Sequence, residues 1–148
     1  MSILQTATTS FKVELLQGIH NFGPSSPDTF KIALYTASAN LGYATTVYTT
    51  SNEVVGTGYS AGGNTLTIST SPTSGNNNSG TPTAYISFAN TTWPNSTFTA
   101  RAALIYNVTE GNKSVAVLDF GADKTVNNDT FQIIFPAADA NSAIVRIS

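Results

Sequence analysis

The fold class is decided by the stretch Thr97-Phe98-Thr99-Ala100-Arg101-Ala102-Ala103-Leu104-Ile105-Tyr106-Asn107. Its even-numbered positions, from Phe98 to Tyr106, are apolar, and this period of two is typical of a half-buried β-strand. It is the longest strand candidate in the chain. Glu110-Gly111-Asn112 follows as a turn and leads into a second apolar segment at 114–120, so the two segments predict a β-hairpin.

Shorter strand candidates lie on both sides of this hairpin. Phe30, Ile32 and Leu34 alternate along one of them, and the others are predicted at 65–70, 83–89, 130–135 and 143–147. Gly-, Asn- and Pro-rich stretches separate them, and two of these, 55–63 and 71–82, are predicted to be exposed loops. Short strands at intervals of roughly ten residues predict a mostly-β protein, an antiparallel β-sandwich with jelly-roll-like connections.

One segment near the N-terminus has helical spacing. Phe11, Leu15 and Ile19 recur every four residues, and Val13 and Leu16 widen the apolar face. With Ser10 as the N-cap and Gly18 at the end, the pattern predicts a helix at about 10–18 whose apolar face is buried. Residues 1–22 would form an N-terminal arm and helix on a single β domain that spans 1–148.

Composition restricts the possible partners. Only 9% of the 148 residues are charged, the net charge is −2, and the six basic residues are scattered, so no stripe is available for nucleic acid. A surface so poor in charge gives little repulsion between copies, which favours a place inside an assembly. The chain has no cysteine and no apolar run of 18 residues, so neither a disulfide nor a membrane span is expected.

Three features could carry chemistry, and each has a simpler structural interpretation. His20, the only histidine, follows the helix and is expected to anchor a loop. Asp119, Asp123 and Asp129 could form a glycosidase pair or a weak cation site, but their spacing favours turn and rim positions, with Asp119 in a strand and Asp123 in a turn at 121–124. Gly56-Thr57-Gly58 and Gly62-Gly63 precede a predicted strand instead of a helix, so they indicate a tight loop and not a phosphate site. We therefore expect no catalytic, cofactor-binding or metal-binding residues, and no enzyme.

Aromatic residues offer one further possibility. Trp93 and Tyr85 could form an exposed platform that stacks on sugars, as a receptor-binding or carbohydrate-binding module would need. Aromatic residues of this kind more often pack in a core or at an oligomer interface. The sequence favours the packing interpretation.

Several segments, taken in order, resemble a family of small virion proteins of tailed bacteriophages. The likeness covers nearly the whole chain. It begins with Gly18-Ile19-His20-Asn21-Phe22 and Asp28-Thr29-Phe30-Lys31-Ile32-Ala33-Leu34-Tyr35-Thr36, continues through 48–54 and 56–63, and ends with 100–107, 117–126 and Phe131-Gln132-Ile133-Ile134-Phe135-Pro136.

This resemblance implies a virion structural protein that is made in the host cytoplasm. Its implied role is capsid decoration: a homo-oligomer, with a trimer favoured, would lie on the outer capsid surface, bind the major capsid protein and cement the head. A tail, neck or adhesion component is the alternative. The resemblance assigns no binding residues to this chain.

Overall fold

The computed structural model describes residues 2–148 and consists mostly of β-strands. Strands hold 49% of the residues and helix 5%, so the predicted fold class is confirmed. The elements are β1 Thr6–Ala7, α1 Thr9–Leu16, β2 Phe30–Tyr35, β3 Asn64–Thr65, β4 Ile68–Asn76, β5 Pro82–Phe88, β6 Thr91–Asn107, β7 Lys113–Ile133 and β8 Val145–Ile147.

These strands form two antiparallel sheets. The larger sheet has the order β1-β7-β6-β2-β3, and the smaller has the order β4-β5-β8. Phe30 and Ile105 of the larger sheet and Ile86 and Phe88 of the smaller one belong to one buried cluster, as in a β-sandwich. The jelly-roll connections stay a prediction.

The central strands of the larger sheet are buried on both faces. The Phe30, Ile32 and Leu34 side of β2 faces the cluster shared with the smaller sheet, as alternation predicts. Ala33 and Tyr35, on the other side, belong to a second cluster that includes Ala39 and Leu41 from the following loop. A loop therefore covers the face that a simple two-layer sandwich would leave to solvent.

Helix α1 begins one residue earlier and ends two residues sooner than the predicted 10–18. Thr8, not Ser10, is the N-cap: its Oγ1 accepts a hydrogen bond from the Phe11 N–H and contacts Ser114 Oγ at 2.9 Å. At the other end Gly18 has φ +72°, and its N–H donates to the Leu15 carbonyl, which ends the helix as predicted.

The predicted apolar face of α1 is only partly correct. Phe11 is buried, and Leu15 is half-buried against the same cluster. Val13 and Leu16, which were expected to widen this face, are exposed, with 92% of Leu16 accessible. The buried face is therefore a narrow row, because α1 packs against the sheets along one side only.

Part of the predicted loop at 71–82 and the turn predicted around Asp123 are strands instead. Residues 71–76 continue β4 and pair with β5, so only 77–81 form the turn, where Asn77 Oδ1 accepts from the N–H groups of Ser79 and Thr81. The turn predicted at 121–124 lies within β7, which runs unbroken from Lys113 to Ile133. Both errors have one cause. These polar, Gly-containing segments do not look like strands by sequence, but a neighbouring strand pairs with their backbone.

The other predicted strands are present, but some of them begin or end at different residues. The predicted 97–107 strand starts at Thr91, the 143–147 strand shortens to Val145–Ile147, and the 65–70 segment divides into β3 and β4 around buried Leu66. The turn at 110–112 is confirmed, with positive φ at Gly111 and Asn112. Residues 55–63 form the predicted irregular loop, and Gly58, Gly62 and Gly63 have positive φ.

Candidate functional site

His20 lies in a buried polar network just after α1. Its Nε2 is 2.7 Å from Glu14 Oε2, and its Nδ1 is 3.0 Å from Asn107 Nδ2. The same Asn107 amide donates to Asp28 Oδ2 at 2.8 Å. Because Asn107 donates to Nδ1, the hydrogen bonds assign the ring proton to Nε2, which donates to Glu14.

Both ring nitrogens of His20 are therefore used by the protein itself. The ring also packs against Phe11 with centroids 4.9 Å apart. Lys113 Nζ lies 3.8 Å from the second Glu14 oxygen, Oε1. This network ties the end of α1, the segment after it and the β6–β7 turn together, so the contacts of His20 are those of an anchoring residue.

The three aspartates do not form one cluster. Asp119 is in β7, where its Oδ1 accepts from the Gly121 N–H at 2.9 Å and from Arg101 Nε at 3.1 Å. The Gly121 N–H, followed by the Arg101 side chain, holds the pKa of Asp119 below its usual value. Asp129 accepts from the Thr130 N–H, and Asp123 lies in the exposed part of β7.

The pairing of β6 with β7 changes register next to Asp119. Ala102 of β6 pairs with Asp119, whereas Ala100 pairs with Lys124, so β7 carries extra residues between these two pairs. Gly121 has φ +77° within this bulge. Asp119 thus holds the backbone of a β-bulge, and Asp123 lies in that bulge within β7 and not in the predicted turn.

A second buried polar network, missed by sequence analysis, surrounds Glu53. Its Oε1 accepts from Tyr59 Oη at 2.6 Å and from the Gly62 N–H at 2.7 Å, while Oε2 accepts from Tyr48 Oη at 2.8 Å. Tyr106 Oη donates to the Gly62 carbonyl at 2.7 Å. The glycine-rich loop is therefore held on the sheet by a carboxylate and three phenols.

The tyrosines of this network resist ionisation. Burial is the main cause, and nearby Glu53 adds a repulsive charge; together they raise the pKa of Tyr106 to about 12. The pKa values of Tyr35, Tyr48 and Tyr59 are raised in the same direction, also chiefly by burial. The sequence contains one indication of this network: Glu53 lies between two nearby tyrosines, at 48 and 59.

The aromatic platform considered for sugar binding is not formed by Trp93. Only 3% of Trp93 is exposed, and its ring packs near Tyr59 and Phe131. Tyr85 is half-buried in β5. The core-packing interpretation of Trp93 is therefore the correct one.

Exposed apolar side chains gather in a hollow beside the N-terminal arm, which we call the arm patch. It is formed by Leu4, Tyr43 and Val47, whose exposed fractions are 51%, 62% and 46%. All three line the same hollow of about 510 Å³. The Leu4 N–H donates to the Leu41 carbonyl at 2.9 Å and fixes the arm to this loop.

A second apolar surface lies between α1 and β8, and we call it the helix groove. It has a volume of about 400 Å³ and is lined by Ala7, Phe11, Lys12 and Leu15 on one side and by residues 144–148 on the other. A further hollow of about 340 Å³ adjoins it and shares Phe11, Leu15, Val145 and Ile147. The arm patch and the helix groove have no lining residue in common.

Two kinds of feature are absent from residues 2–148. No helix among them combines the length and the hydropathy that a membrane crossing requires. Within the same residues, no group of three or more His, Cys, Asp or Glu side chains is placed to hold a metal ion.

Comparison with known proteins finds no matching family model and no significantly similar curated protein or solved structure.

Proposed function

We propose that this protein is a structural part of a tailed-phage virion, a decoration protein that binds the major capsid protein and cements the head. The observation that carries the proposal is the presence of two separate hollows that combine apolar and polar side chains, the arm patch and the helix groove. A cement protein needs one surface for its own copies and another for the shell. The resemblance to small phage virion proteins is the reason for proposing a virion as the assembly.

We assign self-association to the arm patch. Leu4, Tyr43 and Val47 present three exposed apolar side chains in one hollow, and such clusters mark protein contacts more often than scattered residues do. Tyrosine is enriched in interfaces because it gives a large contact area at a low entropic cost. A closed ring of three copies on the outer capsid surface would match the three-fold positions of a capsid lattice.

The charge distribution supports assembly in the same way. With 9% charged residues and a net charge of −2, copies repel one another weakly. The polar groups that first suggested chemistry, His20 and Asp119, are engaged in hydrogen bonds that position the chain. These contacts support a structural role over a catalytic one.

The test counts and locates the protein in particles of the virus that encodes it. Quantitative mass spectrometry should find hundreds of copies per particle, and cryo-electron microscopy should place them on the outer capsid surface. Particles made without the protein should release DNA at lower temperature, since a protein that binds only the assembled shell stabilises it. Copies in sixes or twelves located at the neck or tail would overturn decoration and favour the tail, neck or adhesion alternative.

A further inference from the structure

Strand β8 leaves one side of the smaller sheet open. The sheet order β4-β5-β8 puts β8 at an edge, and its only strand partner among residues 2–148 is β5. Alternate residues of an antiparallel strand point their N–H and C=O groups to opposite sides, so part of the backbone of Val145–Ile147 is unpaired on the side away from β5. An edge of this kind can accept another extended chain.

The open edge faces the helix groove. Phe11, Leu15 and Ala7 form the opposite wall, so a chain that paired with β8 would pack its side chains on α1 and on the edge of the larger sheet. It would extend the smaller sheet from three strands to four. The volume of about 400 Å³ falls within the roughly 300–1,000 Å³ of ordinary binding pockets.

Charge indicates what kind of segment fits there. Lys12 and Arg146 both line the groove, although the whole chain has only six basic residues, and none of the Asp and Glu side chains among residues 2–148 lines it. Among residues 2–148, neither Lys12 nor Arg146 forms an ion pair with a carboxylate side chain. An extended segment with apolar side chains toward Phe11 and Leu15 and acidic ones toward Lys12 and Arg146 would complement both features.

We infer that the helix groove binds an extended, acidic and apolar segment of the shell protein by adding it as a strand to β8. This inference rests on the proposed decoration function and specifies its docking site. Backbone hydrogen bonds to β8 would supply affinity, and the groove wall would select alternate side chains of the added strand. The basic residues would select acidic segments and speed their association.

The experiment measures binding of the full-length protein to shells purified from virus that lacks it, by co-sedimentation over a range of protein concentrations. Arg146→Glu and Lys12→Glu should each weaken binding about tenfold, since attraction at the groove becomes repulsion. Lys124→Glu is the matched control because it makes the same charge change at an exposed residue of β7. It should bind as tightly as the native protein.

A second measurement tests the strand pairing itself. Amide hydrogen exchange should slow on shell binding at those of residues 145–147 whose N–H points away from β5, because new hydrogen bonds protect these groups. The chain has no cysteine, so Arg146→Cys can be labelled with a bulky maleimide at one place, and the label should block binding. The same label on Thr99→Cys, an exposed site in β6, should not block it.

The outcomes separate the two proposals. If the native protein does not bind shells, both the decoration function and the docking site are wrong. If the native protein binds shells, two results overturn the docking site alone. One is that the groove variants bind as tightly as the native protein, and the other is that amide hydrogen exchange at 145–147 does not change on binding. If the groove variants change the oligomeric state and leave shell binding intact, the groove is a contact between copies, which also overturns this inference.

Discussion

Single side chains on α1 differ sharply in what they contribute. Phe11 is 2% exposed and packs edge-on against Phe22, with ring centroids 6.0 Å apart. Phe11→Ala should lower the free energy of unfolding by about 3 kcal/mol, since it removes a buried ring and leaves a cavity. Leu16→Ala, on the same helix, should change it by less than about 0.5 kcal/mol because Leu16 is exposed. Urea unfolding compares the two, and equal effects would contradict the assigned helix face.

The tyrosines around Glu53 predict a loss of stability in alkali. The pKa of Tyr106 is about 12 in the folded protein and about 10 in the unfolded chain. Its contribution is therefore complete below pH about 10, and between pH about 10 and 12 it falls by about 1.4 kcal/mol per pH unit. Tyr35, Tyr48 and Tyr59 are shifted in the same direction and should steepen the fall.

Urea unfolding at several pH values from 8 to 11.5 tests this dependence. The free energy of unfolding should decline steeply above pH about 10, together with the rise in tyrosinate absorbance. Tyr106→Phe should show a shallower decline because one titrating group is gone. A free energy of unfolding that stays level up to pH 11.5 would show that these phenols ionise freely in the folded protein.

At the scale of elements, two glycines with similar backbone angles should respond very differently to a methyl group. Gly63 and Gly80 have φ of +70° and +78°. An alanine Cβ at 63 would overlap the Ile32 carbonyl oxygen, whereas a Cβ at 80 meets nothing within 4 Å. Gly80→Ala should cost about 1 kcal/mol of backbone strain, and Gly63→Ala about 3 kcal/mol or more.

The two melting temperatures, measured by circular dichroism, give the comparison. Gly63→Ala should shift the midpoint far more, because position 63 lies against β2 where β3 pairs with it. Similar midpoints for the two variants would mean that the loop after Glu53 can move away from β2 at little cost.

The elements that could be predicted from the sequence are those whose apolar residues alternate. β2, β5 and the 97–107 part of β6 each have a buried face that the period of two reveals. Residues 71–76 and 121–129 are mostly polar, and they are strands because β5 and β6 pair with them. Their structure depends on partners distant in sequence, which a local pattern does not encode.

At the scale of the whole molecule, the candidate surfaces could not be predicted for a related reason. The arm patch joins Leu4 to Tyr43 and Val47, and the helix groove joins Lys12 to Arg146 across nearly the whole chain. The roles of His20 and Trp93 were easier to anticipate, since the first follows a predicted helix end and large aromatic residues more often pack in a core. A binding surface made from both ends of a chain becomes visible only after folding.

The arm patch predicts how copies of the protein assemble. If Leu4, Tyr43 and Val47 form the contact, the native protein should sediment at three times 15.5 kDa at micromolar concentration. Tyr43→Asp places a charge in an apolar contact and should weaken association at least roughly 30-fold, about 2 kcal/mol per contact. The arm backbone should stay folded, because the hydrogen bond between Thr9 N–H and the Tyr43 carbonyl does not use the side chain.

Val55→Asp is the matched control for this change. Val55 is even more exposed, at 94%, but it lies outside the arm patch, so an acidic residue there makes the same kind of apolar-to-charged substitution. Analytical ultracentrifugation should show Tyr43→Asp as a monomer and Val55→Asp as a trimer at the same concentration. If the native protein is a monomer, or if Tyr43→Asp is still a trimer, the arm patch is not the contact between copies. If only Val55→Asp dissociates, the contact between copies lies at the loop after Glu53 and not at the arm patch. A single substitution is enough to show this, because a ring of three weak contacts closes only when every contact is intact.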